Sequence, residues 1–249
     1  MKARSRSSSI PKKRSDAPKE TWTCERALSE LHRLGEKRNV DGMARFGIVA
    51  KIVYGVAKPK MDELARRIGR DHDLALKLWD TRVHDARILA GMIDEPEKVS
   101  SAQMNRWVRD FDNWDVCDGT CCHLFVFAKP AWDRVIEWTK RRAEFEKRAG
   151  FALLAYLAYR DKTAADAKYK KVLPLLLREA HDDRNFVRKA VNWALRNIGK
   201  RNLKLNRAAI QTAERMRRLD SRAARWIAAD ALRELQGEAV QKRLRQRKA

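Results

Sequence analysis

From Thr21 onward, apolar residues recur at three- and four-residue intervals, and nowhere do they alternate with polar ones between hairpin signals. In "ERALSELHRL", Ala27, Leu28, Leu31 and Leu34 fall on one stripe. "MDELARRI", "LALKLWD", "RVHDARILAGMI", "AWDRVIEWTKRR", "FALLAYLAYR", "YKKVLPLLLREA", "FVRKAVNWALRNIG", "RAAIQTAERMRRL" and "SRAARWIAADALREL" repeat the period. A helix with such a stripe must bury it against another helix, so the chain is expected to be all-α. The connectors "RNVDG", "IDEPEKVSS", "HDDRN" and "GKRN" are short and polar. Helices joined this tightly pack as antiparallel neighbours. Roughly a dozen or more in series predict an α-solenoid rather than a closed bundle. No crisp sequence repeat is visible, so the repeat is structural. A solenoid offers a long concave face, the shape needed to hold a duplex. Pro59, Pro96 and Pro130 are expected at helix starts, and Pro174 early in a helix or at a bend.

Charge limits the partners. The 249 residues hold 56 Lys+Arg against 33 Asp+Glu, a balance of +23. That excess points to a polyanion, most often nucleic acid. With 44% apolar residues, the chain can still bury a core. Residues 1–20 are basic, rich in Ser and Pro and nearly free of apolar side chains; they read as a disordered arm making non-specific phosphate contacts. Residues 21–240 read as one helical domain, and residues 241–249, "QKRLRQRKA", as a second basic tail. No apolar run reaches membrane-spanning length, and no secretory signal opens the chain, so no membrane association is expected. The four cysteines suit a reducing cytoplasm or nucleoid rather than a disulfide scaffold.

Two stretches could carry chemistry. In "RWVRDFDNWDVCDGTCCHLF", a helix from Trp114 to Phe125 puts Trp114 and Asp118 on one face, one turn apart, with Cys122 one turn further. A carboxylate one turn from an indole is a plausible active-site pair; the blander reading is a surface acid beside a half-buried Trp. In "FVRKAVNWALRNIGK", Phe186, Ala190, Trp193 and Asn197 share a face, and Lys189, Trp193 and Arg196 a neighbouring edge. An aromatic flanked by cations can meet sugar and phosphate together, or be a core Trp with snorkelling neighbours. Cys117, Cys121, Cys122 and His123 are contiguous and point to different sides of a helix, and no second CxxC or HxxxH pair completes a tetrahedron, so no metal is expected. Phosphate-cradling glycine loops are also lacking, and no cofactor is expected.

These blocks, in order, resemble the AlkD-type DNA alkylation repair enzymes, which are HEAT-like-repeat DNA glycosylases. The resemblance covers roughly residues 24–235. It rests on "MARFGIVAKIVYGVAKPKMDELARRI", "ALKLWDTRVHDARILAGMI", "NWDVCD", "KRAGFALLAYLAY" and "FVRKAVNWALRNIGK". It implies Asp118 as the catalytic carboxylate and Trp114 and Trp193 as cleft walls against the deoxyribose. It also implies Arg148 as a contact to the DNA backbone. Lys189, Arg196 and Lys51 are expected to join Arg148 in holding DNA. The family often has two adjacent tryptophans where this chain has Asn113-Trp114, and the cysteine-rich run after Asp118 is unusual. The implied substrate is duplex DNA bearing cationic alkylated purines of the 3-methyladenine and 7-methylguanine type. The damaged base would stay stacked, and the protein would act as a monomer. Two other readings stand beside this one: a helical-repeat DNA-binding protein without glycosylase activity, and a HEAT-like scaffold for protein or RNA.

Overall fold

The computed structural model describes residues 21–246, and the expected arm at residues 1–20 lies outside them. Fourteen α-helices follow one another among the described residues, with no strand. They are α1 (Cys24–Leu34), α2 (Lys37–Arg45), α3 (Lys58–Ile68), α4 (His72–Asp80), α5 (His84–Ile93), α6 (Ser101–Arg109) and α7 (Trp114–His123), then α8 (Ala131–Trp138), α9 (Glu144–Arg160), α10 (Asp166–Glu179), α11 (Asn185–Gly199), α12 (Leu203–Arg217), α13 (Arg222–Gln236) and α14 (Glu238–Gln246). Extended pairing is limited to an isolated bridge between Gly35 and Val56.

Many of the boundaries follow local chemistry. Thr23, Asp71, Ser100, Asn113, Asn202 and Ser221 each accept a hydrogen bond from an otherwise orphaned first-turn amide of the helix that follows. Pro59 sits in the first turn of α3, and Pro130 immediately precedes α8. Three local expectations are corrected. Pro96 lies in a turn that ends ahead of α6, because Ser100 supplies the better cap. Pro174 is well inside α10 rather than near its start. "RNVDG" is not a connector but part of α2, a helix that buries none of its residues.

The solenoid has two layers. α5, α7, α9, α11 and α13 pack side by side in sequence, and α4, α6, α8, α10 and α12 lie behind them. α6 departs from strict hairpin pairing by packing chiefly on α9. α9 is enclosed through its middle: everything from Arg148 to Ala155 is buried. The outer layer is anchored by an aromatic column. The Trp79 and Trp107 rings stack at 3.9 Å with an interplanar angle of 2°. Phe125 bridges Trp107 to Trp138 at centroid separations of 6.2 and 5.7 Å. The indole nitrogens of Trp79 and Trp138 donate to Asp110 and Asn105 at 2.8 Å, while that of buried Trp107 has no partner. Of the expected basic tail at residues 241–249, residues 247–249 lie outside the described residues and the rest are helical. α14 continues the fold through Gln246, Leu244 is buried, and Gln241 donates to Asn206 and to the Leu235 carbonyl.

Two glycines separate packing from propensity. A Cβ on Gly150 would lie 2.6 Å from the Thr139 backbone nitrogen, where α9 presses on the end of α8. A Cβ on Gly42, inside α2, would meet nothing within 4 Å. Gly150→Ala is expected to lower stability by about 1–3 kcal/mol through overpacking. Gly42→Ala is expected to raise it by up to about 1 kcal/mol through helix propensity. Urea denaturation of both variants checks the opposite signs.

Candidate functional site

The layer formed by α5, α7, α9, α11 and α13 has one face covered by the outer helices and one left open. At the middle of the open face, α7 presents Trp114, Asp118 and Cys122 on successive turns, as the sequence spacing requires. Asn113, rather than a second indole, precedes them. Its side-chain oxygen accepts from the Asp115 and Val116 amides at 3.0 Å and so fixes where α7 begins. His84 at the start of α5 is buried beside it, with Nε2 3.1 Å from an Asp115 carboxylate oxygen. Trp114 is held from the other side: its Nε1 donates to the Phe46 carbonyl at 2.9 Å.

Asp118 is not turned to bulk water. Its side chain is only 15% exposed and is gripped by Arg148 of α9 in a two-point fork. Nε donates to Oδ1 at 2.9 Å and an Nη donates to Oδ2 at 2.6 Å. The remaining Arg148 nitrogen donates to the Phe186 carbonyl at 2.7 Å, at the first turn of α11. Burial raises the Asp118 pKa above the usual carboxylate value, and Arg148 pulls it part of the way back. Burial also works against the Arg148 charge, but the Asp118 carboxylate more than restores it. Arg148, which the resemblance implies as a contact to the DNA backbone, is itself buried, with its guanidinium engaged by Asp118 and the Phe186 carbonyl. It is the partner that fixes Asp118.

Tyr156 lies two turns after Arg148 on α9 and is the residue that the sequence reading missed. Its ring meets Trp193 edge-on at 4.8 Å, and burial, then Cys122 and Asp118 nearby, push its hydroxyl pKa well up. Tyr156 therefore links the α7 acid face to the α11 indole. Its sequence signals are its place in the block "KRAGFALLAYLAY" and its eight-residue spacing from Arg148 there. Phe186 closes the group, with its ring 5.3 Å from that of Phe145.

The expected DNA contacts divide. Lys189 and Lys51 are exposed. Arg196 is instead engaged across the layer, donating to Glu234 of α13 at 2.6 Å and lying 3.3 Å from Asp230. Arg66, Arg70, His123 and Arg160 line an open groove below Cys122. Burial, then Lys58 and Arg160, hold the His123 pKa below its usual value, so His123 is neutral near pH 7. Exposed cations also occur on the outer helices, among them Lys170, Arg178, Lys204 and Arg215. Charge alone therefore does not mark the site; the aromatic residues and the Asp118–Arg148 fork do. The cysteines face apart. Cys117 and Cys121 approach carbonyls of α9 at 3.8 and 3.7 Å, while Cys122 receives Arg160 at 3.4 Å. Among the described residues, no group of three or more His, Cys, Asp or Glu side chains is arranged to hold a metal ion. No described helix is long and apolar enough to cross a membrane.

Comparison with known proteins agrees with this architecture. Residues 27–235 match the family model described as DNA alkylation repair enzyme. Among solved structures, the chain is similar to a protein reported as one of "a new family of proteins related to the HEAT-like repeat DNA glycosylases with affinity for branched DNA structures". The TM-score is 0.72 at 22% identity, covering 85% of this chain and 95% of that one. No curated protein matches the chain in sequence.

The buried fork makes a stability prediction. Arg148→Met strands an unpaired carboxylate and is expected to cost about 3–5 kcal/mol at pH 7. A carboxyl with a raised folded pKa binds its proton more tightly folded than unfolded. It therefore disfavours the fold above that pKa, and the penalty is relieved as pH falls through it. The deficit of Arg148→Met should accordingly shrink on acidification, and Asp118→Asn in the same chain should recover much of it. Chemical denaturation of the single and double variants at pH 7 and pH 5 reads both effects.

Proposed function

The chain belongs to the DNA alkylation repair enzyme family, and from that premise we propose that it is a DNA glycosylase releasing cationic alkylated purines from duplex DNA. The observation that supports this best is a largely buried carboxylate, Asp118, one turn from Trp114 on α7 and gripped by Arg148 of α9, the helix that packs between α7 and the Trp193-bearing α11.

Purines alkylated at N3 or N7 already carry positive charge on the base. When the N-glycosidic bond breaks, its electron pair leaves with the base, which departs neutral without needing a general acid. Positive charge moves onto the deoxyribose, and a preorganised carboxylate near C1′ stabilises it. Water then adds to C1′ and gives up a proton. Asp118 would serve as that carboxylate and orient the water. Arg148 holds it in place and favours its ionised form against burial. Trp114 and Trp193 would present electron-rich faces to the sugar and the cationic lesion, each such contact being worth roughly 0.5–2 kcal/mol. Lys189, Lys51 and the groove arginines would hold phosphates, giving affinity without sequence preference. Leaving the base stacked would let an exposed helical face, rather than a closed base pocket, serve as the site.

A second reading is a DNA-binding protein of the same fold without base release. It is favoured by Arg148 occupying both oxygens of Asp118 and by the branched-DNA affinity reported for the similar structure. Single-turnover release of 7-methylguanine or 3-methyladenine from duplex DNA separates the two. The enzyme reading expects release by the wild type and a loss on the order of 10²–10³ in Asp118→Asn. Tight binding without release would establish the second reading. Because burial raises the Asp118 pKa, the rate should fall on an acid limb above the ordinary carboxylate range, and a pH–rate profile should lose that limb in Asp118→Asn. DNA affinity should weaken steeply with salt, approximately in proportion to the phosphates contacted.

A further inference from the structure

The segment between α2 and α3 exposes three large apolar side chains within seven residues: Phe46 is 72% exposed, Val49 75% and Ile52 47%. Close groupings of this kind on a protein surface mark contact with something else. The backbone beneath them is fastened to the candidate site. The Phe46 carbonyl receives the Trp114 indole at 2.9 Å. Gly47 adopts a φ of 74°, and a Cβ there would lie 3.3 Å from the tip of the Phe186 ring. The Ile52 carbonyl accepts from the His84 amide at 2.9 Å. Just beyond, buried Asp85 takes the Tyr54 and Val56 amides at 2.7 and 2.8 Å. Ile48, pointing inward, is buried. Arg45 and Lys51, next to the apolar tips, are exposed.

We propose that this loop is an apolar wedge that enters a groove of the bound DNA beside Trp114 and Asp118 and loosens the stacking of a flanking base step, leaving the damaged base itself stacked. The proposal rests on the reading that this open face holds DNA. Apolar side chains set between base steps are a recurring way to kink a duplex and wrap it onto a protein. Here the flanking cations suit the polyanion, and the pinned backbone means that little ordering remains to be done on binding. Direct attachment to Trp114 and proximity to Phe186 place the wedge beside the candidate site rather than on a remote surface.

The test uses the full-length chain, an undamaged duplex carrying 2-aminopurine, and vesicles of anionic phospholipid. The variant is Phe46→Ala/Val49→Ala/Ile52→Ala, which removes only exposed side-chain atoms and keeps the Phe46 carbonyl; circular dichroism and melting verify its fold. The wild type is expected to raise 2-aminopurine fluorescence on binding. The triple variant should bind on the order of tenfold more weakly with an unchanged salt slope, and without the fluorescence rise. Lys51→Ala should instead reduce the salt slope by about one ion. If the triple variant binds the duplex as tightly as the wild type and neither changes the fluorescence, the wedge is overturned and the DNA reading stands. If the wild type does not bind DNA, both fall together. Loss of vesicle binding in the triple variant with unchanged DNA affinity would overturn the wedge in favour of a membrane contact.

Discussion

One guanidinium joins three helices of the open layer. Arg148 extends from α9, grips Asp118 of α7 with two nitrogens and caps the Phe186 carbonyl of α11 with a third. Removing two charges from water is costly, and attraction repays that cost only where geometry is good and the remaining donors are satisfied. The fork meets both conditions. It therefore ties together the helices that bear Trp114 and Trp193, and fixes the orientation of the acid on the first of them. On the proposed glycosylase reading, the same contact would shape the chemistry. A carboxylate held this way needs little reorganisation when a cation develops nearby, the condition under which electrostatic stabilisation is most effective.

That arrangement depends on an α9 buried along most of its length. A helix so enclosed needs close approaches, and Gly150 supplies one by letting α9 meet the backbone at Thr139. Behind it, the Trp79–Trp107–Phe125–Trp138 column provides a stiff wall. The site is thus carried on a rigid layer, while its rim is a loop with exposed apolar tips. Rigid floor and protruding rim are consistent parts of a surface that receives an extended partner.

Several features were legible in the linear chain. Helical periodicity indicated the fold class because a three-to-four-residue apolar stripe has no other use in a packed core. The one-turn spacing of Trp114, Asp118 and Cys122 placed them on one face because helix geometry is local. Asn113, a departure from the resembled family, is the cap that starts α7. Harder to see were relationships between residues distant in sequence. Tyr156 has only its block and its spacing, and its link from Cys122 to Trp193 exists only once α7, α9 and α11 are side by side. The pairing of Arg148 and Arg196 with acids was hidden because a sequence does not reveal which acid lies across the interface.

The sequence by itself determined that this chain is a run of amphipathic helices with an indole and an acid one turn apart, since both follow from local backbone geometry. It also set an excess of positive charge that suits a polyanion. Only the tertiary structure decided which cations are spent inside the protein and which face outward. It likewise decided that Phe46, Val49 and Ile52 stand exposed on the loop whose backbone receives the Trp114 indole. Burial and ion pairing depend on which surfaces meet, and that is set by helices packing across tens of residues rather than by any neighbour in the chain.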